Sequence, residues 1–202
     1  MRPFSSVFKV DFSSAGWNLF INSGHTNEGG MASEQLLFLR NLIFWIFPAP
    51  ANIAWYIVIQ LFIGAAGAYC LCRLLNVGRW GAFLAGLVFA LAPENASLIN
   101  AGHVMKIATI SFVPWAFYFL EKAFRTRRLI FFLSTAMVLA LQFFHTHWQI
   151  AYYTCLAVGV YGIARSVGIV MAERGEKKVF MRLLGLNLVL LVFFLTTVAI
   201  SL

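Results

Sequence analysis

From Ile53 onward the chain is a succession of apolar runs, and the stretches between them alternate in character: Arg and Lys at one turn, His, Glu and Asn at the next. A helix needs about 20 mostly apolar residues to cross a hydrocarbon core. The runs that meet or approach this length are Ile53–Leu75, Trp80–Leu98, Ile107–Glu121, Leu129–Phe144, Ile150–Met171 and Leu183–Leu202. Only 11% of the residues are charged and 61% are hydrophobic, whereas a soluble domain charges about a quarter of its residues to keep its surface wet. The expected fold class is therefore all-α, a polytopic integral membrane bundle of about six transmembrane helices plus one interfacial helix.

Two of the six runs are broken. Pro93 interrupts the second near its end and Pro114 lies inside the third. There the missing N–H and the ring clash should kink a helix. Freed backbone groups at membrane depth are tolerated where protein or a water-filled cavity surrounds them, so both segments are expected to face the bundle interior or a cleft. A seventh run, Leu36–Phe47, contains Arg40 and Asn41 and ends at Pro48. It would reach only about 18 Å, too short to span, and reads as an interfacial helix with Trp45 at the headgroups. The expected division is an extracytoplasmic loop segment 1–35, the interfacial helix 36–48 and a transmembrane bundle 49–202. Gly64, Gly67, Ala68, Ala82 and Gly86 are small enough to let helix backbones approach closely.

The basic residues orient the bundle. Eleven of the 15 fall on one side: Arg73 and Arg79; Lys122, Arg125, Arg127 and Arg128; Arg165, Arg174, Lys177, Lys178 and Arg182. The positive-inside rule makes that side cytoplasmic. The net charge of +8 is thus mostly a topology signal, distributed over separate loops, and no nucleic-acid surface is implied. Cys70, Cys72 and Cys155 form neither a disulfide framework nor a zinc set and read as small apolar fillers. The same orientation places residues 1–52 outside with no apolar stretch ahead of them, and Leu202 closes an apolar run. The expectation is a reading frame that starts late and lacks a preceding transmembrane helix.

The polar residues that membrane insertion does not explain collect on the outer side: His25, His103, His145, His147, Asp11, Glu28, Glu34, Glu94, Asn95, Lys106 and Gln149. Ionisable groups beside spanning helices tend to mark substrate or ion pathways. Asp11 through Glu34, with Gly24-His25-Thr26-Asn27-Glu28-Gly29-Gly30, lacks helical or strand periodicity and reads as a loop, either functional or an ordinary solvated connector. Between the broken runs stand Glu94, His103 and Lys106. Lys106 there either holds a phosphate as a point charge or snorkels to the headgroups while His103 caps a helix. Asn95-Ala96-Ser97 also matches a glycosylation sequon. His145-Thr146-His147-Trp148-Gln149 forms a third outer turn. Its histidines could ligate a metal together only if the turn is extended; the alternative is a polar turn with aromatic anchors.

Ala101-Gly102-His103-Val104-Met105-Lys106, with Pro114-Trp115 eight residues on, and then His147-Trp148-Gln149-Ile150-Ala151-Tyr152-Tyr153, resemble the YfhO-like bacterial membrane proteins, which are similar to the glycosyltransferase-C superfamily. Gly29-Gly30-Met31 is similar to a Gly-Gly-Met in the first outer loop of that family. The resemblance covers roughly residues 25–165, and family members are longer. It implies a bacterial inner-membrane enzyme that moves a sugar from a polyprenyl-phosphate carrier to a cell-envelope polysaccharide or lipid acceptor on the outer face, inverting the anomeric centre. It also implies an acidic general base in the first outer loop, for which Asp11 is best placed, with Glu28 and Glu34 behind it. Arg40, Glu94, His103, Lys106, His147 and Gln149 would bind the substrate. Some members of the superfamily use a divalent metal, for which no ligand set stands out in this sequence. Without the first helix and later spans the chain as given could be inert.

Two other readings compete. A transporter or lipid flippase should place polar groups near the midplane on discontinuous helices. Here the span interiors contribute little beyond Gln60, Ser111, Thr135 and Asn187. A non-catalytic membrane subunit would instead work through its small-residue faces.

Overall fold

The computed structural model describes residues 50–199 apart from 146, 174 and 175, together with 17–18, 25–26, 42–43 and 45–48. Helix α1 spans Ala51–Leu74, α2 Arg79–Leu91, α3 Pro93–Asn100, α4 Val104–Ser111, α5 Val113–Thr126, α6 Leu129–Phe144, α7 Trp148–Ala172 and α8 Lys177–Ala199. Strands β1 (Trp17–Asn18) and β2 (His25–Thr26) pair antiparallel over two residues each, a local order that the sequence of the leading segment did not suggest. The described residues are otherwise an all-α bundle.

Five helical segments are long and apolar enough to cross a membrane: α1, α2 with α3, α4 with α5, α7, and α8. The sequence expectation of six is reduced by α6. It is a regular apolar helix of 16 residues, about 24 Å against a core of about 30 Å. Leu42, Ile43, Trp45 and Ile46 are helical, as expected of the run ahead of α1, and Phe47 donates its N–H to the Ile43 carbonyl at 3.0 Å. Residues 36–41 of that run, including Arg40, lie outside the described residues.

Close packing follows the small residues, because in lipid helix association rests on van der Waals fit rather than on hydrophobic transfer. A Cβ at Gly86 would stand 2.9 Å from the Ala65 carbonyl oxygen, so the α1 and α2 backbones touch there. At Gly67 it would meet the Trp115 ring at 2.8 Å. This seats the Pro-Trp of α5 on α1, where the Trp115 indole N–H donates to the Ile63 carbonyl at 2.8 Å. The apolar core lies among α5, α6, α7 and α8 around Leu120, Phe124, Phe132, Leu139, Val158 and Leu183.

The two proline breaks are accommodated differently. At Pro93, the N–H that should have bonded the Phe89 carbonyl is missing. The Asn95 side chain replaces it, donating to Phe89 O at 2.7 Å and lying 3.1 Å from Ala90 O. Asn95 is thus buried in helix repair, which removes it as an accessible glycosylation acceptor. Of the five spanning segments the one broken near Pro114 is the most buried, at 44%, and the one broken at Pro93 follows at 22%. Beside the Pro114 break another helix meets a backbone group, Gln142 of α6 donating to the Thr109 carbonyl at 2.9 Å, while the Ser111 hydroxyl lies 2.7 Å from the Ala108 carbonyl and 2.8 Å from Gln60 Oε1 of α1. The helix pattern alone could not reveal which neighbour supplies the donor.

Candidate functional site

The ends of the helices divide into two groups. One, the arginine end, joins α1 to α2, α5 to α6 and α7 to α8; the other, the histidine end, joins α3 to α4 and α6 to α7.

At the histidine end the turn Ala101-Gly102-His103 has a definite backbone reason. Gly102 has φ +74°, a left-handed conformation that costs a residue with a Cβ about 1–2 kcal/mol. Gly102 N–H bonds Ile99 O at 3.0 Å and His103 N–H bonds Leu98 O at 2.9 Å, the pair of bonds that closes a helix with a glycine cap. The same turn makes His103 the residue that opens α4 and puts Lys106 in its first turn. No acidic residue occupies that turn. A lysine there adds to the positive end of the helix dipole, an arrangement that costs stability unless an anion joins it.

The turn from α6 to α7 brings the second part. His145 is buried, with Nδ1 2.6 Å from the Leu141 carbonyl and its ring 5.3 Å from that of Phe112. It therefore closes α6 and packs against the break in the α4–α5 segment. His147 opens α7 and is the histidine that joins the site. Burial pushes its pKa below the ordinary imidazole range, and the positive charges of Lys106 and His103 push it the same way. Its Nδ1 is buried and lacks a hydrogen-bond partner among the described residues. His103 is exposed and Lys106 half-buried. Neither forms a salt bridge among the described residues, where the ion pairs are those of Glu121 and Glu173.

Three of the residues expected to bind substrate thus lie within electrostatic range of one another, the charges of Lys106 and His103 acting on His147. Glu94, exposed in the first turn of α3, and Gln149, exposed in the first turn of α7, form no hydrogen bond or salt bridge with those three among the described residues. Asp11, Glu28, Glu34 and Arg40 lie outside the described residues. Among the described residues no three His, Cys, Asp or Glu side chains converge as a metal ion would require. All three cysteines are free thiols.

One residue the sequence reading passed over is Gln142. It is fully buried just below the histidine turn, and its Oε1 has no partner among the described residues although its amide nitrogen is spent on Thr109. An amide inside a strongly apolar run was the available signal. The other interior polar groups serve the bundle: Thr135 bonds Phe131 O at 2.9 Å, and Asn187 reaches Ser166 at 3.2 Å.

The arginine end is built the opposite way. Glu121 is 2% exposed. It accepts from Arg125 Nε at 2.7 Å, from Arg165 Nε at 3.0 Å and from the Tyr161 hydroxyl at 2.8 Å. Arg125 also donates to the Leu74 carbonyl at 2.6 Å, tying α5 to the end of α1. Arg127 pairs with Glu173, tying the end of α5 to the end of α7. Within these two clusters the charges satisfy one another.

Comparison with protein-family models, with curated proteins and with solved structures finds no match.

Proposed function

We propose that this protein recognises the phosphate of a membrane-dissolved polyprenyl-phosphate sugar at its histidine end and acts as a glycosyltransferase-like protein on an acceptor at that face. The observation that carries the reading is that the charges of Lys106 and His103 act on His147 while none of the three forms a salt bridge among the described residues. Like charges held together raise each other's free energy, and an anion placed among them removes that cost. Lys106 supplies a point charge. The imidazoles supply N–H donors aimed where negative charge collects on a departing lipid phosphate. A donor dissolved in the bilayer must present its phosphate at headgroup level, which is where turns between spanning helices lie.

With the arginine end cytoplasmic by the positive-inside rule, the site faces outward, as a bacterial cell-envelope enzyme requires. Leu36–Phe47 would lie along the same interface, and α6 would complete a six-helix bundle by local thinning of the bilayer. Asp11 is the proposed general base, with Glu28 and Glu34 as the other acidic residues of the leading segment, and Arg40, Glu94 and Gln149 as outlying contacts to sugar or acceptor. The use of the Gln142 amide nitrogen on the Thr109 carbonyl, and of Ser111 and Gln60 on each other, supports surface chemistry over a transport path.

The test is sugar transfer in membrane vesicles carrying the full reading frame, with a radiolabelled polyprenyl-phosphate sugar as donor. Lys106→Gln should lower transfer at limiting donor and recover partly at high donor, whereas Asp11→Asn should abolish it at any donor level. Transfer unaffected by both substitutions would remove the reading.

A further inference from the structure

A cavity of about 620 Å³ lies between α7 and α8, on the far half of the bundle from the histidine cluster. Its walls are apolar side chains such as Val158, Ile163, Val170, Phe180 and Leu184, with Ser166 and Asn187 the polar groups in its lining. Those two bond each other at 3.2 Å, and Asn187 also donates to the Leu183 carbonyl at 2.9 Å, so the polar atoms are occupied and the groove offers an apolar surface. Along α7 the lining runs from Val158 to Met171, about 20 Å of helix. That is somewhat more than half of a roughly 30 Å core, the depth of one leaflet.

The mouth of the groove is basic. On α8 the lining residues Phe180, Leu184, Asn187 and Leu191 recur at helical spacing, and the next position toward the helix start on that stripe is Lys177. Lys177 and Lys178 are exposed and occupy the first turn of α8, which contains no acidic residue. Two cations at a helix N-terminus oppose the dipole, so they do not serve the helix. Nearby Glu173 is paired with Arg127, and Arg182 donates to the Arg127 carbonyl at 3.3 Å. The lysines thus face Glu176 as the one other carboxylate at this turn.

We infer that the α7–α8 groove is a seat for one anionic phospholipid of the leaflet at the arginine end, its acyl chain between the helices and its phosphate against Lys177 and Lys178. The groove's one-leaflet depth and the charge at its mouth select this occupant. The site is separate from the histidine cluster, so the two stand or fall independently.

The experiment is native mass spectrometry of the purified full chain after exchange into equimolar phosphatidylglycerol and phosphatidylcholine with identical acyl chains. The wild type should retain one lipid, phosphatidylglycerol by about thirtyfold, given roughly 1 kcal/mol for each of the two lysines near an anionic headgroup. Lys177→Gln with Lys178→Gln should bring the two lipids to near parity while retention continues. Gly159→Leu with Gly162→Leu fills the groove without backbone collision: a Cβ at Gly159 meets nothing within 4 Å, and one at Gly162 meets only the Phe124 ring at 3.9 Å. That variant should lose the retained lipid while keeping a cooperative melt and elution volume. Equal retention of both lipids by the wild type, or lipid retention unchanged in the filled variant, would overturn the inference. So would a wild-type dimer that the filled variant splits, since the groove's occupant would then be a second copy.

Discussion

At the arginine end the buried carboxylate of Glu121 is met by two guanidiniums and a phenol, whereas at the histidine end the charges of Lys106 and His103 act on His147 and none of the three forms a salt bridge among the described residues. Both ends gather charge where helices meet, but around Glu121 the donors and acceptors are matched and fix helices to one another. Around His147 the neighbouring charges are of one sign. A surplus beside the start of α4, whose dipole already presents positive charge, weakens the fold locally and gains stability when an anion arrives. The difference separates a structural clasp from a binding site by the sign of what removing a charge does.

That sign gives the first and largest expected effect. Glu121→Leu leaves two arginines without their shared partner. Removing one member of a buried pair costs about 3–5 kcal/mol. Since the guanidiniums are about a third exposed, about 2–3 kcal/mol is expected here. The thermal midpoint in detergent should fall, with polyprenyl-phosphate affinity of the folded fraction unchanged. If Glu121→Leu melts like the wild type, the clasp is not one.

Lys106→Gln should show the reverse pattern. Polyprenyl-phosphate affinity should drop about tenfold, while the melting temperature without ligand stays level or rises slightly as repulsion is relieved. A Lys106→Gln protein that melts much earlier without ligand would place Lys106 among the structural groups and dissolve the contrast between the ends.

Gly102→Ala tests how the histidine end is held. Its φ of +74° makes a Cβ cost about 1 kcal/mol. Because the same turn positions His103 and Lys106, both stability and lipid-phosphate affinity should fall together. Affinity unchanged at a lowered melting temperature would separate the turn from the site.

The pH response should be the smallest effect and the most specific. His147 is depressed in the folded protein by burial and by Lys106 and His103. The unfolded chain therefore takes up its proton first as pH falls through the ordinary histidine value of about 6.5. Stability contributed by neutral His147 is present above that value and is lost below it, down to the depressed folded value. A bound phosphate reverses the balance by favouring the protonated ring, so lipid-phosphate affinity should strengthen between pH 7.5 and 5.5. His147→Gln should flatten both profiles.

Much of this was legible in the residues. The runs of apolar residues gave the helices, and the small residues Gly67 and Gly86 fall where helices touch, because close approach in lipid requires them. His103, Lys106 and His147 stand out in the sequence as ionisable groups at the turns of an apolar chain. What could not be read was pairing across helices. Nothing in the spacing says that Glu121 would collect Arg165 and Tyr161 from α7, about 40 residues away. Nor does it say that Pro93 would be served by Asn95 from its own helix, or that Gln142 from another helix would meet the Thr109 carbonyl beside the Pro114 break. The periodicity of α6 also left its length undecided between a buried helix and a span.

The most direct measurement is the affinity of the purified protein in nanodiscs for a polyprenyl phosphate against the uncharged polyprenol of the same length, for the wild type, Lys106→Gln and Glu121→Leu. The expected result is a wild-type preference for the phosphate that Lys106→Gln reduces about tenfold and Glu121→Leu leaves intact. Equal affinity for phosphate and alcohol in the wild type, or a preference that survives Lys106→Gln undiminished, would contradict the assignment of the histidine end as the lipid-phosphate site.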